Sequence, residues 1–163
     1  MRKFVLSIIM IATANLAMAS EEDSSRATAN VTKAKRFMET ALTDSAQAKA
    51  LTHDDFEFVF MGRTRISNKP YDQESYFTVW LPEVVGKLVP NGFRKLEILD
   101  AIGDSNGVAL IAEGDADGIN GLYDNQYVFV FKFKDGKIVS LREYNSDLLV
   151  ATRLYKQKLV ADD

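Results

Sequence analysis

Four runs of branched and aromatic residues, separated by three turn signals, fill the second half of the chain and leave little choice of architecture. Arg94 to Ile102, Val108 to Gly114, Tyr123 to Phe133 and Ile138 to Tyr144 read as strands. Between them stand Asp104-Ser105-Asn106-Gly107, Asp117-Gly118-Ile119-Asn120-Gly121 and Lys134-Asp135-Gly136-Lys137. Each offers the glycine or asparagine that positive φ angles require in a hairpin. Consecutive hairpins predict an antiparallel meander with no place for a parallel crossover.

The first half carries helical periods. Ala27, Val31, Ala34, Met38 and Ala41 form one stripe, widened by Phe37, of a helix ending near Leu42. Asp44 and Ser45 cap a shorter helix that turns Ala48 and Leu51 inward. Phe56 to Met61 is too short and too aromatic for a helix and reads as a strand covered on both faces. Gly62 to Tyr71 has loop chemistry in Ser67-Asn68-Lys69-Pro70. From Asp72 onward Tyr76, Val79, Trp80, Val84 and Leu88 share a helical face, which Pro82 either kinks or splits before the stop at Pro90-Asn91-Gly92. After Ser146 and Asp147, a cap pair, Leu148, Ala151, Leu154 and Tyr155 give a last amphipathic helix. Helices first and a curved sheet after them make an α+β layout.

Arg2 and Lys3, an apolar stretch from Phe4 to about Ala14, and Ala17-Met18-Ala19 before Ser20 have the layout of a cleavable signal peptide. The stretch falls well short of the roughly 20 residues that span a bilayer. We therefore expect residues 1–19 to be a leader, 20–30 a frayed lead-in, and 31–160 a single domain, in a periplasmic or secreted protein with no membrane attachment after cleavage. Without the leader the chain holds 18 basic and 23 acidic residues, a formal charge of −5. An acidic chain with no basic cluster argues against nucleic acid as a partner, because phosphate neutralisation supplies most of that affinity. With no cysteine and one histidine, His53, neither disulfides nor a thiolate zinc site is expected, and the Asp104 and Asp115-Asp117 clusters lack the spacing of a calcium loop. No metal and no cofactor are expected.

The run Gly121-Leu122-Tyr123-Asp124-Asn125-Gln126-Tyr127-Val128-Phe129-Val130-Phe131, then Asp135-Gly136-Lys137-Ile138 and Arg142-Glu143-Tyr144, resembles the C-terminal signature of SnoaL-like proteins, the nuclear transport factor 2-like relatives of ketosteroid isomerases. Phe37, Ala41, Leu42, Asp44, Leu51, Asp54 and Asp55 resemble the same family's helix, helix, strand opening. The resemblance implies a cone-shaped, cystatin-like fold in which N-terminal helices pack on a curved antiparallel sheet around a cavity for a small, mostly apolar molecule, often in a homodimer. It also implies departures. The position resembling the proton-shuttling carboxylate of ketosteroid isomerases is Phe60, and the tyrosine and asparagine that hold water in limonene-epoxide hydrolases correspond to Phe58 and Phe60. Glu113 stands where those hydrolases carry an arginine between two carboxylates, here Asp115 and Glu143. Ser146 replaces the aspartate that many relatives place after Arg-Glu-Tyr, with Asp147 displaced by one.

Strand alternation puts Asn125, Tyr127, Phe129, Phe131 and Phe133 on one face, and Leu141, Glu143 and Asn145 on one side of the last strand. If Ile111, Glu113 and Asp115 face the cone as well, Asp115 and Glu143 lie across an aromatic pocket, and Tyr127 is the donor to a developing oxyanion. Asn125, Phe129, Phe131, Trp80 and Glu113 are then the ligand-binding candidates. Asp115 reads equally as a turn cap, and Glu143 as a partner of Arg142 or Lys137. Val128, Val130, Ile138 and Tyr144 are expected on the outer face, as an apolar patch that a homodimer would cover. An acid–base isomerase, cyclase or hydrolase, a non-catalytic binding protein and an assembly module all remain open on this fold.

Overall fold

The three turn signals close as hairpins, and the rest of the chain is arranged around the sheet they make. The structure, a computed structural model, describes the backbone of residues 2–160 and the side chains of residues 20–160; the expected leader, residues 1–19, lies outside the described side chains. In chain order the elements are α1 (Arg2–Thr40), α2 (Ser45–Ala50), β1 (Thr52–Phe60), β2 (Pro70–Asp72), α3 (73–88), β3 (Phe93–Gly103), β4 (Gly107–Gly118), β5 (Gly121–Lys134), β6 (Lys137–Tyr144) and α4 (147–154). No helix among the described residues is long and apolar enough to cross a membrane.

The turn chemistry performs as its residues require. Asp104 accepts the backbone N–H groups of Asn106 and Gly107 at 2.7 and 2.9 Å, closing β3 onto β4. Asp135 and Gly136 take φ of 51° and 71°, the left-handed pair that a two-residue hairpin demands.

The sheet order is β2-β1-β6-β5-β4-β3. The sheet is mixed and not wholly antiparallel, because β1 pairs in parallel with β6. The meander from β3 to β6 ends with β6 as an unpaired edge, and β1 arrives from the helices to cover it with Phe58 opposite Leu141 and Phe60 opposite Glu143. β2 extends the other side of β1 from within the segment read as loop, and Pro70 starts it, as suits an edge strand.

The helices close the mouth and one side of the cone. α1 continues through residues 20–30, so the expected lead-in is helical. Asn30 on this helix donates to the carbonyls of Asp104 and Ser105 at 3.2 and 3.3 Å, pinning it to the β3–β4 turn. Phe37, 0% exposed, packs its ring 5.9 to 6.1 Å from Phe56, Tyr76 and Phe131. Pro82 neither breaks nor splits α3. Residues Tyr76–Val85 widen into a π-type stretch, which relieves the clash of the proline ring with the preceding turn and keeps Tyr76 and Trp80 pointing inward.

Two strand phases differ from the expectation. On β4 the buried side is Val108, Leu110, Ala112, Gly114 and Ala116, so Glu113 and Asp115 face outward. These residues pair with Phe131, Phe129, Tyr127, Asn125 and Tyr123 of β5, and the shrinking β4 side chains make room for the rings and the buried amide opposite. A Cβ at Gly114 would meet Tyr127 Cε2 at 3.0 Å, so this close approach needs glycine. On β6 the register shifts between Lys132 and Phe133, which leaves Val139 as an extra residue. Ile138 is thereby turned into the core, 0% exposed, and does not join the outer patch. Val128 and Tyr144 are exposed on that outer face as expected.

Candidate functional site

Inside the cone two small chambers share a wall. The first, about 70 Å³, is lined by α1 and α3 side chains including Met38, Tyr76 and Trp80, and by Phe93, Tyr127, Phe129 and Glu143 of the sheet. The second, about 40 Å³, lies on the side of α4 and is bounded by Phe60, Ile66, Val89, Tyr123 and Leu154. Trp80, Val85, Phe93, Tyr127 and Glu143 line both. A groove of about 390 Å³ on the surface shares Met38, Leu42, Phe93 and Leu96 with the first chamber and adjoins it through them. A larger concavity against the C-terminal tail, about 640 Å³, is open to solvent and touches none of these residues.

Glu143 is the one carboxylate of the chambers. Parallel pairing with β1 and antiparallel pairing with β5 fix its strand between Phe60 and Phe129, and its own carbonyl accepts the Met61 N–H at 2.8 Å. Its carboxyl lies deep in the protein, while the residue as a whole is half-buried and lines both chambers. It makes no ion pair among the described residues; its polar contact is Asn145, whose Nδ2 donates to Oε1 at 3.1 Å. Burial raises its pKa to about 7, with Asn145 pulling weakly the other way. Near neutral pH the group is therefore poised between acid and base.

Phenols surround it. Tyr127 is 4% exposed, stacks on Phe129 at 5.4 Å, and its hydroxyl has the Tyr123 hydroxyl as a polar neighbour but no well-formed hydrogen bond among the described residues. Burial first, then neighbouring Tyr123 and Glu143, drive the Tyr127 pKa far up, so it stays a neutral donor. Tyr76 and Tyr123 are raised by the same burial and by the charge on Glu143. A buried hydroxyl without a partner costs about 1–3 kcal/mol, which a ligand oxygen placed between Tyr127 and Glu143 would recover.

Of the residues singled out from sequence, Glu143, Tyr127, Phe129 and Trp80 meet at the chambers. Asn125 and Phe131 are buried behind the wall. Asn125, 1% exposed, donates to the Tyr123 hydroxyl at 2.9 Å and accepts the Ser146 N–H at 3.2 Å, tying β5 to the start of α4. Phe131 packs on Phe37. Asp115 and Glu113 lie outside, and the placement expected for them is corrected. Asp115, its side chain 42% exposed, takes a two-point contact from Arg94 at 2.5 and 3.1 Å, and Glu113 accepts from Lys95 at 2.7 Å. The Arg94 hydrogen bonds hold Asp115 below the usual carboxylate range. Glu143 bonds to neither Arg142 nor Lys137; Arg142 reaches Glu57 at 3.2 Å instead. Phe93 went unrecognised in the sequence, and Asn145, read there on the same side of the last strand as Glu143, was given no role; the register of β3 on β4, with Phe93 opposite Ala116, is what turns Phe93 inward.

No family model matches the chain, and no curated protein matches it by sequence. Solved structures do match. An NTF2-like protein from Burkholderia xenovorans LB400 superposes with a TM-score of 0.64 at 16% identity, covering 78% of this chain and 97% of its own. A candidate SnoaL-like polyketide cyclase from Jannaschia sp. CCS1 gives 0.65 at 16% identity, over 81% and 95% of the two chains. An LEH-like epoxide hydrolase from M. tuberculosis gives 0.60 at 19% identity, over 80% and 92%. The chain has the NTF2-like fold.

In this NTF2-like cone the two first-strand positions singled out from sequence, Phe58 and Phe60, carry no polar group. Phe58 and Phe60 are buried against Trp80, with ring centroids 4.8 and 5.4 Å apart. The ionisable side chains that the sheet turns toward the chambers stand on β5 and β6, as Tyr123, Tyr127 and Glu143.

Proposed function

We propose that the chain is an exported NTF2-like enzyme that applies acid–base chemistry to a small, mostly apolar molecule, with Glu143 moving the proton and Tyr127 donating to the substrate oxygen. The observation that carries this reading is Glu143 itself, a buried carboxyl held near pKa 7 in an aromatic cavity with no cation to neutralise it. A base whose pKa lies near the working pH and a neutral donor for the enolate oxygen suit proton abstraction next to a carbonyl. The similarity in fold to a polyketide cyclase candidate and an epoxide hydrolase is consistent with catalysis in such a cone. Phe58 and Phe60 on the first strand favour a second reading, a cavity that binds without reacting.

Trp80 is the only tryptophan and lines both chambers, so its fluorescence reports their occupancy. Exchange of the α-protons of cyclohexanone in deuterated buffer separates the two readings. The enzyme reading expects exchange above buffer in the wild type and in Asp115→Asn, a drop of about a hundredfold in Glu143→Gln, and a smaller drop in Tyr127→Phe. Ketone that quenches Trp80 but does not exchange leaves the binding reading in its place.

The outer sheet face supports a homodimer. Ile111 pairs with Val128, and Val128 with Tyr144, in a row that leaves apolar surface in the open. Val130→Glu, beside this row, should elute as a monomer on size exclusion; an unchanged volume would remove the dimer from the account.

A further inference from the structure

The reading above leaves the class of molecule open, and the charges around the cavity narrow it. A buried carboxylate is compensated by a proton or by a cation. Among the described residues, those lining the two chambers include no lysine, arginine or histidine. The titratable groups facing Glu143 are the phenols of Tyr76 on α3 and of Tyr123 and Tyr127 on β5; from the coil after β6 comes the Asn145 amide, while α1 and β3 offer Met38, Phe93 and Leu96. The wall of the first chamber joins the rings of Tyr76, Trp80, Phe93, Tyr127 and Phe129 with aliphatic side chains such as Leu81, Val85 and Leu141.

The adjoining surface groove carries the same sign. Of the two bases on the surface groove, Arg94 lies between Asp115 and Asp117, and Lys95 between Glu97 and Glu113 at 2.6 and 2.7 Å. Each cation is thus matched by two carboxylates, and the groove is left with an excess of negative charge that draws cations and repels anions. Aromatic faces grouped around a carboxylate are the arrangement that holds an organic ammonium, through the ring quadrupoles and the ion pair together.

We infer that the molecule taken up by this cavity carries a basic nitrogen, and that its ammonium group sits against Glu143 within the cage of Tyr76, Trp80 and Tyr127. This inference rests on the cavity proposed above as the functional site. At about 70 and 40 Å³ the chambers take the ammonium head and the carbons next to it, and the rest of a ring extends into the adjoining surface groove of about 390 Å³. Below about pH 7 the ammonium must displace the proton from Glu143, one proton leaving to solvent for each cation bound.

Cyclohexylamine and cyclohexanol have the same shape and differ in charge, so titrating each against Trp80 fluorescence from pH 5.5 to 9 tests the inference. Cyclohexylammonium should bind at least tenfold more tightly than cyclohexanol at pH 8.5, and this preference should shrink by about tenfold per pH unit below 7. Glu143→Gln should keep cyclohexanol binding and lose the preference. Equal binding of the two at pH 8.5, or a preference that survives Glu143→Gln, overturns the ammonium assignment alone. Binding of neither overturns the cavity as the functional site as well.

Discussion

Replacing Glu143 by glutamine should raise the stability of the protein at alkaline pH and leave it almost unchanged in acid. The folded carboxyl keeps its proton to about pH 7, against 4.5 for the free group. The folded state therefore binds the proton more tightly than the unfolded state, and stability falls as pH rises from about 4.5 through 7. Above pH 7 the penalty is complete, about 3 kcal/mol at 1.36 kcal/mol per pKa unit. Glutamine keeps the shape and can still accept from Asn145, but carries no charge to bury. Urea titrations should place Glu143→Gln level with the wild type near pH 4.5 and about 3 kcal/mol above it at pH 9, roughly 6–12 °C in Tm. A functional group that destabilises its own fold is the pattern expected of a working site rather than a structural one. An equal difference at both pH values would mean that the substitution acts through packing.

Phe37→Ala should cost about 3–5 kcal/mol, a large share of the stability of a domain of this size. The ring is wholly buried and meets Phe56 of β1, Tyr76 and Phe77 of α3, and Phe131 of β5 within 6.4 Å. It is the point at which the first helix, the third helix and two inner strands of the sheet, β1 and β5, converge. Its neighbours are rings on rigid elements and cannot collapse into the space, so the cavity term adds to the lost transfer energy. A fall in the urea midpoint with an unchanged slope is the expected result. A loss under about 1 kcal/mol would show that α1 does not close the cone.

The meander was legible because its turns carry residues that little else explains, such as Asp135-Gly136 at positive φ. The helical stripe of α1 was legible for the same kind of reason, since Ala34, Phe37 and Ala41 recur at helical spacing and all three are buried. What failed was phase. Reading Asp117 to Gly121 as one long turn hid the pairing of Gly118 with Gly121, which sets Asn125 opposite Gly114 and Asp124 opposite Asp115. Once Tyr127 and Asn125 face inward, that pairing forces Asp115 out, and a slip of one residue moves every side chain to the other face. Ile138 was misplaced through the extra residue at Val139, which no local signal in Lys137-Ile138-Val139-Ser140 announces. The parallel join of β1 to β6 links residues some eighty positions apart, so a reading of neighbouring segments could not supply it.

The candidate site divides along the same line. Glu143 and Tyr127 were found because single-strand alternation suffices to orient them. The partnership of Glu143 with Asp115 needed two registers to be right at once, and the structure separates the pair across the sheet. The pocket consequently holds one carboxyl, and its chemistry rests on burial and phenols in place of a second acid.

The most direct test is a carbon NMR titration of the side-chain carboxyl of Glu143 in protein labelled at glutamate δ-carbons, with Glu143→Gln identifying the resonance. A midpoint near 7 is expected, moving downward when an ammonium ligand fills the cavity. A midpoint near 4.5 would place Glu143 in contact with solvent and contradict a site built on its burial.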